Sequence, residues 1–461
     1  MFILLVIAVA AVPVLFYSFW AGKDWWFLDP INTFWPVYIL FGVFQPLAFR
    51  EGWMEIYGEG TVLITLGMFV LAGGCVCAGY RLDLGRWLGL RLPVQRGQDN
   101  VGRLIILGFV AIACGVAAYA SVIKIAGGIA SFLSTSRTNI DYSQTSNSLL
   151  SVLSLVPLGL FILLCTCYAA NSHQVLKRVA LVGTLSWGLW CVYSGTRSGV
   201  ISTAVILFGS IYGRKRNNPS VGISVLALAA VVVLVGFTTQ YRGIFYGGHF
   251  NSGDSVTEAI DASLTSFTES KGGSVPMGAE FSMAEAVIQN VPSQVPYDFG
   301  HMLLEMLTRP IPRSFWPDKL YPEGEAWDRI HRVAGTAGWQ NNAGYLSGPA
   351  PGLVGKYYYI GGVEGVILGG LWTGVFLNAV RTYTRRYPPV AQSLIAVGCF
   401  ILGFSEMNNP LSLEFGWLPS TGVGLALIIL LSRKRQRAVS GPSRLFILSA
   451  PREHPAPQVL E

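Results

Sequence analysis

Charge is what this chain is shortest of. Lys, Arg, Asp and Glu make up only 12% of its 461 residues, while 52% are hydrophobic. An average soluble domain is about a quarter charged, so a solvated globular surface is excluded. Catalytic signatures are missing as well. The sequence has no Walker A loop, no Gly-x-Ser-x-Gly elbow, no His-Glu-x-x-His and no Asp-x-Asp, which removes the usual nucleotide, serine-hydrolase, zinc-protease and metal–sugar-nucleotide sites. The nearest metal-like group, Glu323 and Glu325 with Asp328, reads as ordinary solvated acid, so no metal and no cofactor is expected. The seven cysteines are Cys75, Cys77, Cys114, Cys165, Cys167, Cys191 and Cys399. All fall in apolar runs, so they read as small packing residues rather than a disulfide framework. No internal repeat of 20 to 50 residues is visible.

What is present is a succession of apolar runs. They predict an all-α polytopic integral membrane protein with about eleven transmembrane helices. The spans fall near 2–20, 31–48, 61–80, 103–123, 149–169, 178–194, 199–213, 221–238, 360–380, 389–408 and 415–432. The first has no positive flank and reads as an uncleaved span rather than a secretory signal. The net charge of +7 does not point to nucleic acid, because the basic residues sit in short loops. Arg81, Arg86, Arg91, Arg96 and Arg103, then Lys177 and Arg178, then 214–216, then Arg381, Arg385 and Arg386, then 433–437, are each two spans apart. By the positive-inside rule these loops are cytoplasmic, the N-terminus is outside and the C-terminus inside. The chain then divides into spans one to eight (1–238), a large partly helical external loop (239–352), spans nine to eleven (353–432) and a basic, disordered cytoplasmic tail (433–461).

Arg197 lies at the tip between two apolar segments, in Tyr193-Ser-Gly-Thr-Arg-Ser-Gly199. The segment after it has about 14 residues, roughly 21 Å of helix against roughly 30 Å of hydrocarbon. It ends at the basic run 214–216, which keeps to water, so the tip sinks toward the depth of lipid phosphates. Arg197 either snorkels to the interface or binds an anion there.

The external loop carries seven basic and twelve acidic residues between 239 and 352, a net of −5, so its positive charge is local. Ser282-Met-Ala-Glu285 predicts a capping box before a short helix, and Asp298 a cap for the next. In that next helix His301, Glu305 and Arg309 share one face. They form either a solvated stripe on an interfacial helix or an acid, a base and an anion clamp on one element. Arg313, Trp316 and Lys319 follow in a proline-stiffened stretch. Tyr357 and Tyr358 are either interfacial anchors or sugar-stacking rings.

Three further features accompany these runs: Gln240-Tyr-Arg-Gly243, Ile311-Pro-Arg-Ser-Phe-Trp-Pro-Asp-Lys319, and a glycine-rich return to the membrane. Together with the Gly195–Gly199 hairpin and the single late loop, they resemble the bacterial oligosaccharide repeat-unit polymerases, the Wzy-type O-antigen polymerase family. Leu320 replaces the family's usual proline. The resemblance implies a fold similar to GT-C-type membrane glycosyltransferases in the bacterial inner membrane, with the site facing the periplasm. It implies an undecaprenyl-diphosphate-linked donor and acceptor, and a chain-length regulator as partner. Arg197, Arg242, Arg309, Arg313 and Lys319 would bind the diphosphate. His301 or Glu305 would take the acceptor proton. Trp316, Tyr357 and Tyr358 would contact sugar. A related ligase and a polysaccharide flippase are the alternative readings.

Overall fold

The computed structural model describes residues 1–20, 29–92, 100–125, 127–128, 155–169, 174–193, 197–213, 220, 222–223, 226, 280–298, 301, 304 and 351–386. Among them the chain is 90% helical and contains no strand. The expected spans at 389–408 and 415–432, most of that at 221–238, and the tail lie outside the described residues. Among the described residues four helices are long and apolar enough to cross a membrane: Glu59–Arg81, Val101–Ile125, Gln174–Val192 and Gly352–Thr384.

The helices form two packed groups. The first gathers α1 (Phe2–Trp20), α2 (Ile31–Ile39), α3 (Gln45–Tyr57), α4 (Glu59–Arg81) and α5 (Asp83–Arg91). The second is made of α6 (Val101–Ile125), α7 (Leu155–Ala169), α8 (Gln174–Tyr193) and α9 (Arg197–Gly213). Two later helices, α10 (Glu280–Asn290) and α11 (Gly352–Thr384), return to the first group and share its core.

Where the sequence predicts a span ending at residue 48, the helix continues to Tyr57. The joint between α2 and α3 is a π-helical turn, Leu40–Phe44. Pro46, at the start of α3, has no N–H to donate to the carbonyl four residues back, and its ring crowds that carbonyl. A widened turn relieves both problems without ending the helix.

The spine of the first group is the pairing of α4 with α11, which run parallel. Glycines set its spacing. A Cβ on Gly79 would run into the backbone carbonyl of Leu371, and one on Gly374 into that of Val76. Only hydrogen at these positions allows so close an approach, a common way for helices to pack in lipid, where apolar burial gives no drive. One end of the spine is tied by charge. Asp29 accepts from Arg385 Nη2 at 3.1 Å and lies 3.2 Å from Arg381 Nε. Arg381 Nη1 donates to the Tyr80 hydroxyl at 3.0 Å.

The second group packs antiparallel neighbours. Gly108 of α6 meets Leu163 and Gly159 of α7, and Gly188 of α8 meets Thr203 of α9. Its core is apolar around Leu104, Phe161, Ile162 and Ile206. Two of its buried hydroxyls turn inward to their own helices, Thr184 donating to the Ala180 carbonyl and Thr203 to that of Gly199, while Ser210 of α9 meets Cys165 of α7, Oγ to Sγ, at 3.1 Å.

Candidate functional site at the break of α11

The expected span at 360–380 is the larger part of a longer, broken helix. Gly362 has φ +63° and ψ −141°, and Gly361 is also non-helical. The left-handed φ favours glycine. A Cβ at Gly362 would also meet the Tyr297 hydroxyl at 2.8 Å. The first limb, residues 352–360, turns back sharply on the second, residues 363–384. The Tyr357 carbonyl sits on Gly365 and the Tyr357 ring lies flat on Gly369.

Beside this limb lies α10. Every residue from Phe281 to Ile288 is buried, as is Asn290. The predicted capping box does not form, because the helix starts earlier, at Glu280. Its free N-terminus is satisfied from another element: Phe281 N–H donates to Gln45 Oε1 at 3.0 Å, and Gln45 Nε2 donates to Glu280 Oε2 at 2.7 Å. Ser282, read as the cap, instead donates to the Tyr57 hydroxyl at 3.1 Å. Part of the expected external loop is thus core, wedged among α3, α4 and α11.

Glu285 is the consequence. It lies four residues on from Phe281, which stacks on Phe69, and three on from Ser282, so it faces between them. It is 0% exposed, and neither carboxyl oxygen has a hydrogen-bond partner. Burial pushes its pKa up to about 9, so the neutral acid is the form held at neutral pH. In the sequence it is the one ionisable residue inside an apolar stretch, a signal overlooked when it was read as part of a cap.

After α10 the chain reaches Tyr297 and Asp298, which dock on the break. Asp298 N–H donates to the Tyr359 carbonyl at 2.9 Å. The Tyr297 and Tyr358 rings meet edge to face, 6.5 Å apart. Asp298 is 4% exposed, and its Oδ1 lies 3.2 Å from Nδ1 of His301, whose side chain is 62% exposed. A carboxylate that holds Nδ1–H leaves Nε2 as the basic nitrogen. A buried carboxylate orienting an exposed imidazole is the geometry of a positioned general base.

Of the predicted site residues, His301 meets Asp298, and Tyr358 meets Tyr297, the residue before Asp298. The structure spends Tyr357 on the core. That ring is buried against Gly369 with Lys356 Nζ 4.8 Å from its centroid, so in this arrangement it cannot stack on a sugar. Arg197 opens α9, at the tip of the α8–α9 hairpin and at the opposite end from Lys177 and Arg178. Arg242, Glu305, Arg309, Arg313, Trp316 and Lys319 lie outside the described residues. Asp298, read only as a helix cap, is the missed member of the site. Its spacing of three from His301 was the available signal. Among the described residues no three His, Cys, Asp or Glu side chains gather as a metal site.

These helices define a largely apolar α-helical protein with a polar site where one long helix breaks. The model of a family described as "Domain of unknown function (DUF8712)" matches residues 118–386, more than half of the chain, and the chain belongs to that family. The match begins inside α6 and ends two residues past α11, so it takes in α10, the broken helix and Arg197. No curated protein and no solved structure matches the chain.

Proposed function

We propose that the protein is a metal-independent membrane glycosyltransferase that polymerises undecaprenyl-diphosphate-linked repeat units. It has about eleven spans and a GT-C-like fold, and works at the periplasmic face of the bacterial inner membrane. The observation that carries this reading is the Asp298–His301 pair seated on the broken end of α11. About 20 residues of helix, roughly 30 Å, separate that break from Arg381 and Arg385, so the dyad sits at the end of the spine away from the basic cluster. The tip bearing Arg197 is likewise remote from the basic residues of its own hairpin.

The chemistry follows from these groups. An acceptor hydroxyl attacks the anomeric carbon of the donor as its proton passes to His301 Nε2. The new glycosidic C–O bond forms while the bond to the diphosphate oxygen breaks, and the lipid diphosphate leaves. Arg197, with Arg242, Arg309, Arg313 and Lys319, neutralises that leaving charge through charge-assisted bonds. Tyr358 and Trp316 contact sugar.

Reconstituted protein supplied with one lipid-linked repeat unit tests the reading. A ladder of products supports polymerisation, and it should survive EDTA. His301→Ala should slow the ladder by about a hundredfold or more. Asp298→Asn should cost roughly tenfold or more through the wrong tautomer. Arg197→Ala should cost on the order of a hundredfold, and Arg197→Lys should recover it only in part, with Lys215→Arg silent. Transfer to a different lipid means a ligase. One feature favours a transporter as second reading: a broken helix beside a buried, unpartnered carboxyl is how transporters build midplane sites. Absence of any covalent product would favour it.

A further inference from the structure

We infer that the outer face of α5 is a docking surface for anionic phospholipid headgroups, in the leaflet next to Arg381 and Arg386. The inner face of this helix is glycine. A Cβ on Gly85 would lie 2.6 Å from the Val375 carbonyl, and one on Gly89 2.5 Å from that of Ala379, so α5 lies flat against α11. The opposite face carries the large side chains. Leu84, Trp87 and Leu90 are each about half exposed, at 49%, 51% and 52%. At 100° per residue, Arg86 and Arg91 fall on either side of the Trp87–Leu90 ridge. Both are exposed, and the Arg91 guanidinium lies 5.2 Å from the Trp87 ring centre.

Neither arginine is needed by the fold. The last carbonyls of α5 are already served by Arg386, whose Nη1 reaches Gly89, Leu90 and Leu92 at 2.8, 2.9 and 2.8 Å. Among the described residues neither Arg86 nor Arg91 has an acidic partner. From 81 to 103 the chain holds five arginines and two aspartates, a net of +3. An acidic protein partner would answer the charge but leave Leu84, Trp87 and Leu90 uncovered. A headgroup layer answers both, with phosphates for the guanidinium groups and acyl chains for the ridge.

This inference rests on the membrane reading and not on the proposed reaction. The test is reconstitution of the full chain into bilayer discs of phosphatidylcholine alone or mixed equally with phosphatidylglycerol. Native mass spectrometry then counts the lipids retained by wild type, by Arg86→Gln/Arg91→Gln, and by Arg50→Gln as control. Wild type and control should retain phosphatidylglycerol preferentially. The double variant should lose that preference by roughly tenfold, given the attraction each basic residue adds near an anionic surface. Arg86→Lys/Arg91→Lys should keep most of it, and high salt should weaken it. Equal retention of both lipids by wild type overturns the inference, as does a loss in Arg50→Gln matching that in the double variant. Failure to enter discs of either kind would overturn the membrane reading itself.

Discussion

The two helix groups solve the same problem by different means. The second, α6 to α9, buries apolar side chains and a few hydroxyls, which bond back to their own helix or, at Ser210, to a cysteine on a nearby one. Each of its helices packs on a neighbour in the chain. The first buries charge and amide groups that must be matched from far away. Asp29 meets Arg381 and Arg385, Gln45 meets α10, and Asn378 Nδ2 donates to the Tyr80 carbonyl at 2.9 Å. Burying such groups is costly unless they are paired. A region that carries them is held to one arrangement, and there the only buried carboxyl among the described residues with neither oxygen bonded, Glu285, stands out. The contrast separates a generic membrane scaffold from the part built around polar chemistry.

Substitutions can break that contrast. The largest effect is expected at Asp29. Asp29→Ala strands two guanidinium groups, and breaking a buried ion pair costs about 3 to 5 kcal/mol. Both arginines are partly exposed here, so about 3 kcal/mol is expected, read as a lowered unfolding midpoint in detergent. Close behind is Gly79→Ala, because the added methyl group meets the Leu371 backbone. Overpacking of this kind costs about 1 to 3 kcal/mol. Gly74→Ala, five residues away on the same helix with nothing within 4 Å, should be neutral or slightly stabilising. Equal effects at the two glycines would discard the seam as the spine of the fold.

Glu285 should give an effect of opposite sign. Its pKa is raised from the ordinary 4.5 to about 9 in the folded protein. Between those values the folded state holds a proton that the unfolded state has released. Stability therefore falls as pH rises from about 4.5 to about 9, and the loss levels off above that. Glu285→Met keeps the shape and removes the acid. It should raise the unfolding midpoint at pH 8 and flatten its pH dependence, with little change at pH 5. A destabilised Met variant at pH 8 would mean that the carboxylate is matched by a group brought close in solution. The smallest effect belongs to the second group. Thr184→Val removes a hydroxyl whose carbonyl partner keeps its helical bond, so less than about 1 kcal/mol is expected.

Much of the second group was legible in sequence, since apolar runs with local partners announce themselves. The expected spans at 103–123 and 199–213 sit within two residues of α6 and α9 at both ends, as that at 61–80 does for α4 in the first group. The first group was legible only in part. α5 was read as a basic loop, because its role depends on two glycines facing α11 rather than on an apolar stripe. The position of α10 could not be read at all: its N-terminal partner, Gln45, lies 235 residues earlier. At the site, the chemistry of His301 was legible and its orienting partner was not recognised. The buried state of Tyr357 follows from the fold-back at Gly362, which composition alone does not reveal.

The parallel seam of α4 and α11 also sets an order of assembly. Its partners are separated by some three hundred residues; Asn378 and Tyr80 alone stand 298 apart. During synthesis α1 to α5 are made long before α11 exists, while α6 to α9 find their neighbours at once. Domains form in the order in which their contacts become available, and distant pairings come last. The glycine face of α4 and the carboxylate of Asp29 must therefore wait, uncovered, for the end of the chain. The polar site is completed only when residues 352–384 slot into a place already prepared, which makes closing the spine the last act of folding.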